Sequence, residues 1–258
     1  MSPHMLAQPR ASRAAFGQIV RNEARLAWRN PAGMIVGIGV SLLLLVIFGS
    51  VPVFQQTSAR LGGISALQAY IPILIAFSIG VIALVYLPGP LVSYREQGIL
   101  RRLSTTPVPA SWVLAAQLVV QACLMLIAVG VLVVVSVAFL GVSAPGNPAG
   151  FVLALLLAIA ALFAIGLSIA AAAKTSGAAR GIMAAAFYPL MFFSGLYFPM
   201  QLMPGVFGDI SHFTPLGAAV EALQDSMLGR FPPVAPLVVM MAYALGFGYL
   251  AKRFFRWE

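Results

Sequence analysis

The chain has 258 residues, of which 61% are hydrophobic and 8% are charged. Soluble globular domains carry about a quarter charged residues, so this composition excludes an ordinary water-soluble protein. The formal net charge is +9 at pH 7, but the basic residues are spread over short segments between apolar runs, which argues against a nucleic-acid-binding protein. The sequence therefore predicts an all-α integral membrane protein.

The first predicted element is an amphipathic helix over residues 10–30. Its arginines fall on one side of a helical wheel, while Phe16, Ile19 and Leu26 fall on the other. A helix of this kind lies flat on the inner leaflet of a membrane, with its basic side toward the headgroups. The alternative is a disordered basic tail, because Glu23 interrupts the apolar side.

Six membrane-spanning helices are predicted from the distribution of charge along the chain. Five long segments contain no charged residue, and each reaches the ~20 residues that a helix needs to cross the hydrocarbon core. The longest of them divides at 141–150, where glycine, proline, serine and asparagine favour a turn. The predicted spans cover 32–53, 69–92, 112–140, 150–173, 179–199 and 234–251.

The basic residues indicate how these spans are oriented. Of the 15 Lys and Arg residues, only Arg60 and Arg230 fall on the side opposite the two termini. Short cytoplasmic loops accumulate Lys and Arg, whereas external loops do not. We therefore expect a multi-pass protein of the cytoplasmic (inner) membrane with both termini in the cytoplasm.

The sequence contains no motif for energy-yielding chemistry. The phosphate-binding pattern GxxxxGK[ST] is absent, because neither Lys174 nor Lys252 follows a glycine. His4, His212 and the single cysteine, Cys123, show no metal-ligand spacing. We expect no catalytic residue, cofactor-binding residue or metal site in this chain, so any ATP and Mg²⁺ would bind to a partner.

A charged segment, 93–109, follows the second predicted span and reads SYREQGILRRLSTTPVP. It resembles the coupling loop of ABC-2-type permeases, which combines Arg-Glu-x-Gly-x-Leu-x-x-Leu with a later Thr-Pro. The resemblance implies a cytoplasmic loop that docks on a separate ATPase subunit. The residues that it assigns to ATPase coupling are Arg95, Glu96, Gly98, Leu100, Arg101, Arg102, Leu103, Thr106 and Pro107. The alternative is a solvated loop whose arginines only fix the topology.

A second resemblance lies before the last predicted span. Residues 193–204, FSGLYFPMQLMP, and 212–223, HFTPLGAAVEAL, are similar to the Ser-Gly-x-x-x-Pro and Pro-Leu…Glu-Ala-Leu elements of the same family. The family places short external helices here, at 200–228, which re-enter the outer leaflet. Segment 10–30 is similar to its connecting helix, so the resemblance covers most of the chain.

The resemblance implies the membrane subunit of a type V ABC exporter, similar to daunorubicin-type drug-resistance permeases and to polysaccharide or lipid export permeases. Its partners would be an ABC ATPase subunit, a second permease copy or paralogue, and membrane lipid. The transport path would lie between the second and fifth spans of two subunits, where the candidate residues are Phe77, Ser78, Tyr86, Phe187, Tyr188, Met191, Phe192 and Phe193. For each of these residues, helix packing is the alternative role.

Aromatic and methionine side chains suit a hydrophobic or amphipathic cargo, such as a drug-like metabolite or a lipid or lipid-linked glycan. The alternative function is a stand-alone channel or an ion-coupled carrier. That function would require Asp209, Glu221 or Asp225 to reach into the membrane. A non-transporting membrane sensor or assembly subunit is the third interpretation.

Overall fold

A computed structural model describes residues 13–29, 32, 35–61, 63–99 and 110–254. Over these residues the chain is almost entirely helical, and the one sheet pairs two antiparallel strands of two residues each. The all-α fold predicted from composition is therefore confirmed.

The described residues of the N-terminal half form five α-helices, two π-helices and both strands. Helix α1 covers Arg13–Arg29. A π-helix, Ile35–Val40, continues into α2, Ser41–Ser50, and α3, Pro52–Gln55, leads to β1, Thr57–Ser58, and β2, Ile64–Ser65. Helix α4, Ala66–Gly80, a second π-helix, Val81–Tyr86, and α5, Pro88–Glu96, together form a helix of 31 residues.

The C-terminal half contains three long helices, two short ones and a final long one. Helices α6, Ala110–Leu140, and α7, Pro148–Ala172, are joined by the predicted turn, and α8 covers Ser176–Phe193. The short helices α9, Gly205–Phe213, and α10, Pro215–Met227, lie within the segment predicted to re-enter the membrane. Helix α11 covers Val234–Phe254.

Local hydrogen bonds explain where several helices begin. The Ser65 hydroxyl accepts a bond from the Gln68 N–H at 3.2 Å, and the Ser65 N–H donates to Gln68 Oε1 at 3.1 Å. This capping box satisfies two backbone groups at the start of α4. Thr175 and Thr214 cap α8 and α10, each accepting a backbone N–H through its hydroxyl.

Four helices in the described part of the chain are long and apolar enough to cross a membrane: Ala66–Glu96, Trp112–Leu140, Pro148–Ala172 and Val234–Phe254. They correspond to the second, third, fourth and sixth predicted spans. A multi-pass membrane protein is therefore confirmed.

The first and fifth predicted spans differ from the helices found there. In the first, the described residues form an apolar helix over Ile35–Ser50, and residues 33 and 34 before it lie outside the described part of the chain. The fifth was predicted over 179–199, but α8 begins at Ser176 and ends at Phe193, where Gly195 follows with a positive φ of 89°. The count of six spans stays a prediction.

Helix α4 lies at the centre of the bundle, packed against α2, α6, α7 and α10. Its residues Leu74, Ile75 and Ile79 are fully buried. Helix α10 is also deeply buried, with Leu216 and Leu223 inaccessible to solvent. A helix of 13 residues cannot span hydrocarbon, so its apolar face is covered by protein.

Two serines form a polar contact between the first π-helix and α4. The hydroxyls of Ser41 and Ser78 donate to the Gly37 carbonyl oxygen at 2.9 and 2.8 Å, and the two hydroxyl oxygens lie 2.7 Å apart. Both serines are fully buried. Such hydrogen bonds hold helices together where no water is present to compete.

The turn between α6 and α7 is bonded to the end of α10. The Gly146 N–H donates to the Met227 carbonyl at 3.3 Å, and the Asn147 N–H donates to the Ser226 carbonyl at 2.9 Å. At this contact a Cβ on Gly146 would lie 2.7 Å from the Cα of Gly229. The α7 start is therefore attached to the short helices that precede α11.

Candidate coupling and transport site

Arg95 and Glu96, two residues predicted to couple to an ATPase, occupy the end of α5. The Arg95 guanidinium donates to the carbonyl of Ala170 at 3.2 Å and to that of Ala173. These carbonyls belong to the C-terminal end of α7, where helical carbonyls have no intrahelical partner. The positive charge of Arg95 also complements the negative end of the α7 dipole.

Glu96 contacts the start of the next helix. Its carboxylate accepts the Ser176 backbone N–H at 2.9 Å and the Ser176 hydroxyl. Ser176 is the first residue of α8, where free N–H groups and the helix dipole favour a negative charge. Arg95 and Glu96 thus join the end of α5 to both sides of the turn between α7 and α8, and we call this set the Arg95–Glu96 contact.

The other predicted coupling residues are placed only in part. Gly98 has a positive φ of 66°, and its N–H donates to the Arg95 carbonyl, which ends the helix as a C-terminal glycine does. Leu100, Arg101, Arg102, Leu103, Thr106 and Pro107 lie outside the described residues.

The aromatic residues predicted to line a path form two groups. The Phe77 and Phe187 rings lie 6.4 Å apart, and Tyr188 lies 5.7 Å from Phe187. Phe192 contacts Phe193 at 5.3 Å, near the end of α8. The Tyr188 side chain is exposed, so this face of α8 is open in the single chain.

Three of the predicted path residues lie elsewhere. Ser78 is buried in the polar contact with Ser41 described above. Met191 is buried and packs against Gly80, where an added Cβ would lie 2.5 Å from the Met191 Cε. Tyr86 lines a separate cavity beside α1. Of the predicted path residues, the structure thus brings together Phe77, Phe187 and Tyr188 in one group and Phe192 and Phe193 in another.

A large cavity of about 1070 Å³ lies between α7, α8 and α11. Its walls are mainly apolar, and one end is formed by Arg95 and Glu96. The side chains that line its middle are Ile169, Ile182, Ala186, Leu190, Tyr243 and Phe247. None of the eight predicted path residues lines it, and sequence analysis missed it because its walls come from helices far apart in the chain.

The acidic residues of α10 lie beside basic side chains. His212 Nδ1 is 2.6 Å from Glu221 Oε2, and Arg230 Nε is 3.1 Å from Asp225 Oδ1. Burial raises the pKa of Asp225; Arg230 lowers it and Glu221 raises it, and the net shift is upward. Asp209 is exposed on α9.

Comparison with known proteins adds a family relationship to this geometry. No curated protein sequence matches the chain. The family model described as ABC-2 type transporter matches residues 14–228. That range begins inside α1 and ends just after α10, so it includes the Arg95–Glu96 contact and both aromatic groups.

Proposed function

Because the chain belongs to the ABC-2 type transporter family, and is thus a transmembrane permease, we propose that it moves a hydrophobic or amphipathic compound outward across the cytoplasmic membrane. A separate ABC ATPase subunit binds ATP and Mg²⁺ and supplies the energy. The cargo is a drug-like metabolite, or a lipid or lipid-linked glycan. Two permease copies, each with six spans and both termini in the cytoplasm, form the transport unit.

The Arg95–Glu96 contact is the observation that supports this mechanism most directly. A force applied to 93–109 reaches the end of α5 first. Because Arg95 bonds to the end of α7 and Glu96 to the start of α8, displacement of α5 also moves the α7–α8 turn. The loop that resembles a docking element is thus connected to the helices that carry the aromatic face and the large cavity.

ATP binding would then change the relative stability of two arrangements of the dimer. The ATPase subunits approach each other when they bind ATP, and this motion closes the inner mouth and opens the outer one. Such alternating access is a shift of population, driven by the different ATP affinities of the two arrangements. In this mechanism the permease provides the transport path and the Arg95–Glu96 contact, and the partner subunit hydrolyses ATP.

The apolar walls of the cavity between α7, α8 and α11 favour a cargo with a large hydrophobic part. Pockets of several hundred Å³ with mainly apolar walls and few polar groups are typical of small-molecule sites. Here the charged lining residues, Arg95, Glu96 and Lys174, come from the end of α5 and the turn after α7. This arrangement suits an amphipathic molecule whose polar part stays near the membrane surface.

Reconstitution into vesicles tests the proposed function. The chain is co-purified with an ABC ATPase encoded beside it and inserted into proteoliposomes, and loss of a fluorescent amphiphile from one side is followed with and without ATP. We expect transport only with ATP and with the ATPase present. Transport that persists without ATP would indicate a channel or ion-coupled carrier, and cargo-independent ATP hydrolysis without transport would indicate a sensor or assembly subunit.

A further inference from the structure

A second cavity lies between α1, the end of the α4–α5 helix and α6, and it has a volume of about 530 Å³. It is separate from the large cavity, since the two share no lining residue. Its lining includes the polar side chains of Glu23, Tyr86, Tyr94, Gln117 and Gln121. We call it the α1 cavity.

Gln117 has a buried oxygen that lacks a donor. Its side chain is 4% exposed, and its Oε1 atom has no hydrogen-bond partner among the described residues. Buried carbonyl oxygens in proteins are nearly always hydrogen-bonded, because burial without a partner costs free energy. An unpaired amide oxygen beside a cavity therefore marks a position where a ligand could supply a donor.

Glu23 presents a second acceptor in the α1 cavity. Its carboxylate accepts a hydrogen bond from the Tyr94 hydroxyl, at 3.1 Å to Oε1 and 3.3 Å to Oε2. In the described part of the chain, no Lys, Arg or His nitrogen lies within 4.0 Å of it. Burial raises the pKa of Glu23, and the bond from Tyr94 only partly opposes this. Among the described residues, the carboxylate therefore has a neutral hydroxyl donor and no neutralising cation.

One chemical group provides both hydrogen-bond donors and a positive charge. A primary ammonium carries three N–H donors and a positive charge. It would supply the donor that Gln117 Oε1 lacks among the described residues, and a positive charge beside the Glu23 carboxylate. The rings of Tyr86 and Tyr94 also line the cavity, and aromatic rings attract cations.

We propose that the α1 cavity binds the primary ammonium group of an amphipathic amine, with its hydrocarbon part along the apolar wall. That wall includes Leu26 and Leu124. The ammonium contacts the Glu23 carboxylate and Gln117 Oε1. Occupancy requires neither ATP nor a partner subunit, so the site can be tested independently of the proposed function.

Two sources carry this chemistry: a membrane phospholipid with an ethanolamine headgroup, and a free amphipathic amine. They are distinguished by the lipid in which the protein is embedded. In phosphatidylcholine nanodiscs, no lipid supplies a primary ammonium, so an added amine finds the site free. Addition of phosphatidylethanolamine weakens binding of the amine if the headgroup occupies the site, and leaves it unchanged if the site rejects the phospholipid.

The probe is octylamine, titrated by calorimetry into the full chain in phosphatidylcholine nanodiscs, with empty nanodiscs subtracted. Octanol has the same hydrocarbon chain without a charge, and octyltrimethylammonium has the charge without N–H donors. We expect octylamine to bind about tenfold more tightly than either analogue. Equal binding of octylamine and octanol would overturn the proposal.

Two substitutions test whether octylamine binds in the α1 cavity. Glu23→Gln removes the charge but keeps an acceptor for Tyr94, and Gln117→Met replaces the amide by an apolar chain of similar size. Each is expected to weaken octylamine binding by about tenfold. The matched controls are Asp209→Asn and Gln18→Met, at exposed positions, and neither should change it.

Two results of the variant series would also overturn the proposal. One is unchanged octylamine affinity in folded Glu23→Gln. The other is an equal loss of affinity in the control variants. Folding of each variant is verified by size-exclusion elution and helical circular dichroism, and Glu23→Gln alone decides the outcome if Gln117→Met does not fold.

Discussion

Arg95 and Glu96 are adjacent and carry opposite charges, and each contacts a helix end of the opposite sign. Neighbouring residues at a helix end point in different directions, so one can reach the carbonyls of α7 and the other the N–H groups of α8. The pair therefore acts as a connection that a single charge could not make. The pair connects the ends of three helices but adds little to the free energy of unfolding, because exposed ionic contacts contribute little to stability.

We predict that Glu96→Ala reduces the amount of cargo moved per ATP hydrolysed. Loss of the carboxylate frees the start of α8 from α5, so ATPase motion no longer reaches α8. The expected loss is roughly tenfold, within the usual range of coupling between sites. Transport and ATP hydrolysis are measured together in proteoliposomes.

Gln97→Ala is the matched control, because Gln97 is exposed and, among the described residues, its side chain bonds to Ser93 one turn earlier. It should leave the ratio unchanged. A normal ratio in Glu96→Ala would remove the coupling role of this contact.

We also predict that Gln117→Met stabilises the chain in the absence of an amine. The substitution removes an unpaired buried amide oxygen, which costs about 1–3 kcal/mol. A gain of about 1 kcal/mol would raise the Tm by roughly 2–4 °C in a chain of this size. Thermal unfolding in detergent measures it, with Gln18→Met as the control, and an unchanged or lower Tm would contradict it.

The coupling site could be predicted only in part from the sequence. The Arg-Glu-x-Gly string indicates a coupling segment by its resemblance to the family, but it does not reveal that Arg95 and Glu96 bond within the chain. Their partners, Ala170 and Ser176, are 75 and 80 residues away. Thr175 caps α8 and Ser176 begins it, but no local pattern in the sequence indicates which carboxylate contacts this helix start.

At the scale of elements, helix α7 packs closely on the second π-helix at Gly166. A Cβ built on Gly166 would lie 2.1 Å from the Ala83 carbonyl oxygen, a distance at which the backbones must separate. Glycine is required here because no larger residue permits the approach.

Gly166→Ala is therefore expected to destabilise the chain by about 1–3 kcal/mol, as overpacking does. The matched control is Gly130→Ala in α6, where a Cβ has nothing within 4 Å. That substitution should be neutral or stabilising by up to about 1 kcal/mol, because alanine favours helix. Thermal unfolding of both variants gives the comparison, and equal stabilities would refute the close-packing argument.

Helix α1 is expected to dock more firmly as the pH falls. Burial raises the pKa of Glu23 above its ordinary value of 4.5. A carboxyl group whose pKa is raised on docking stabilises the docked state fully below the undocked pKa. That contribution is lost as the pH rises through the raised value.

Hydrogen-exchange protection factors of α1 should therefore increase as the pH is lowered from neutral toward 4.5. Glu23→Gln should show high protection already at pH 7 and no dependence over this range. Protection that decreases on acidification would be the opposite of the expected sign.

The long helices were predictable because hydrocarbon imposes a charge-free length on the sequence. The first and fifth spans were less so. The end of α8 at Phe193, before the positive-φ Gly195, and the π-helices within Ile35–Ser50 and Ala66–Glu96 depend on tertiary packing as well as on hydrophobicity. Sequence periodicity does not report these features.

At the scale of the whole molecule, the exposed aromatic face of α8 belongs to the proposed contact between two permease copies. Tyr188 is 63% exposed in the single chain. With Cys123 replaced by Ala, Tyr188→Cys should yield a cross-linked dimer on treatment with a short bis-maleimide. Leu245→Cys, exposed on α11, should remain monomeric, and the reverse pattern would place the dimer contact on α11.

Helix α7 is fastened at both ends. One end receives the Arg95 guanidinium, and the other begins beside the Asn147 bond to the Ser226 carbonyl. A helix of 25 residues held in this way transmits displacement along its axis with little bending. Under the proposed mechanism, a fluorophore attached beside Gly146 is expected to change its emission when nucleotide is added to the complex with the ATPase, although the attachment point lies at the far end of α7 from Arg95.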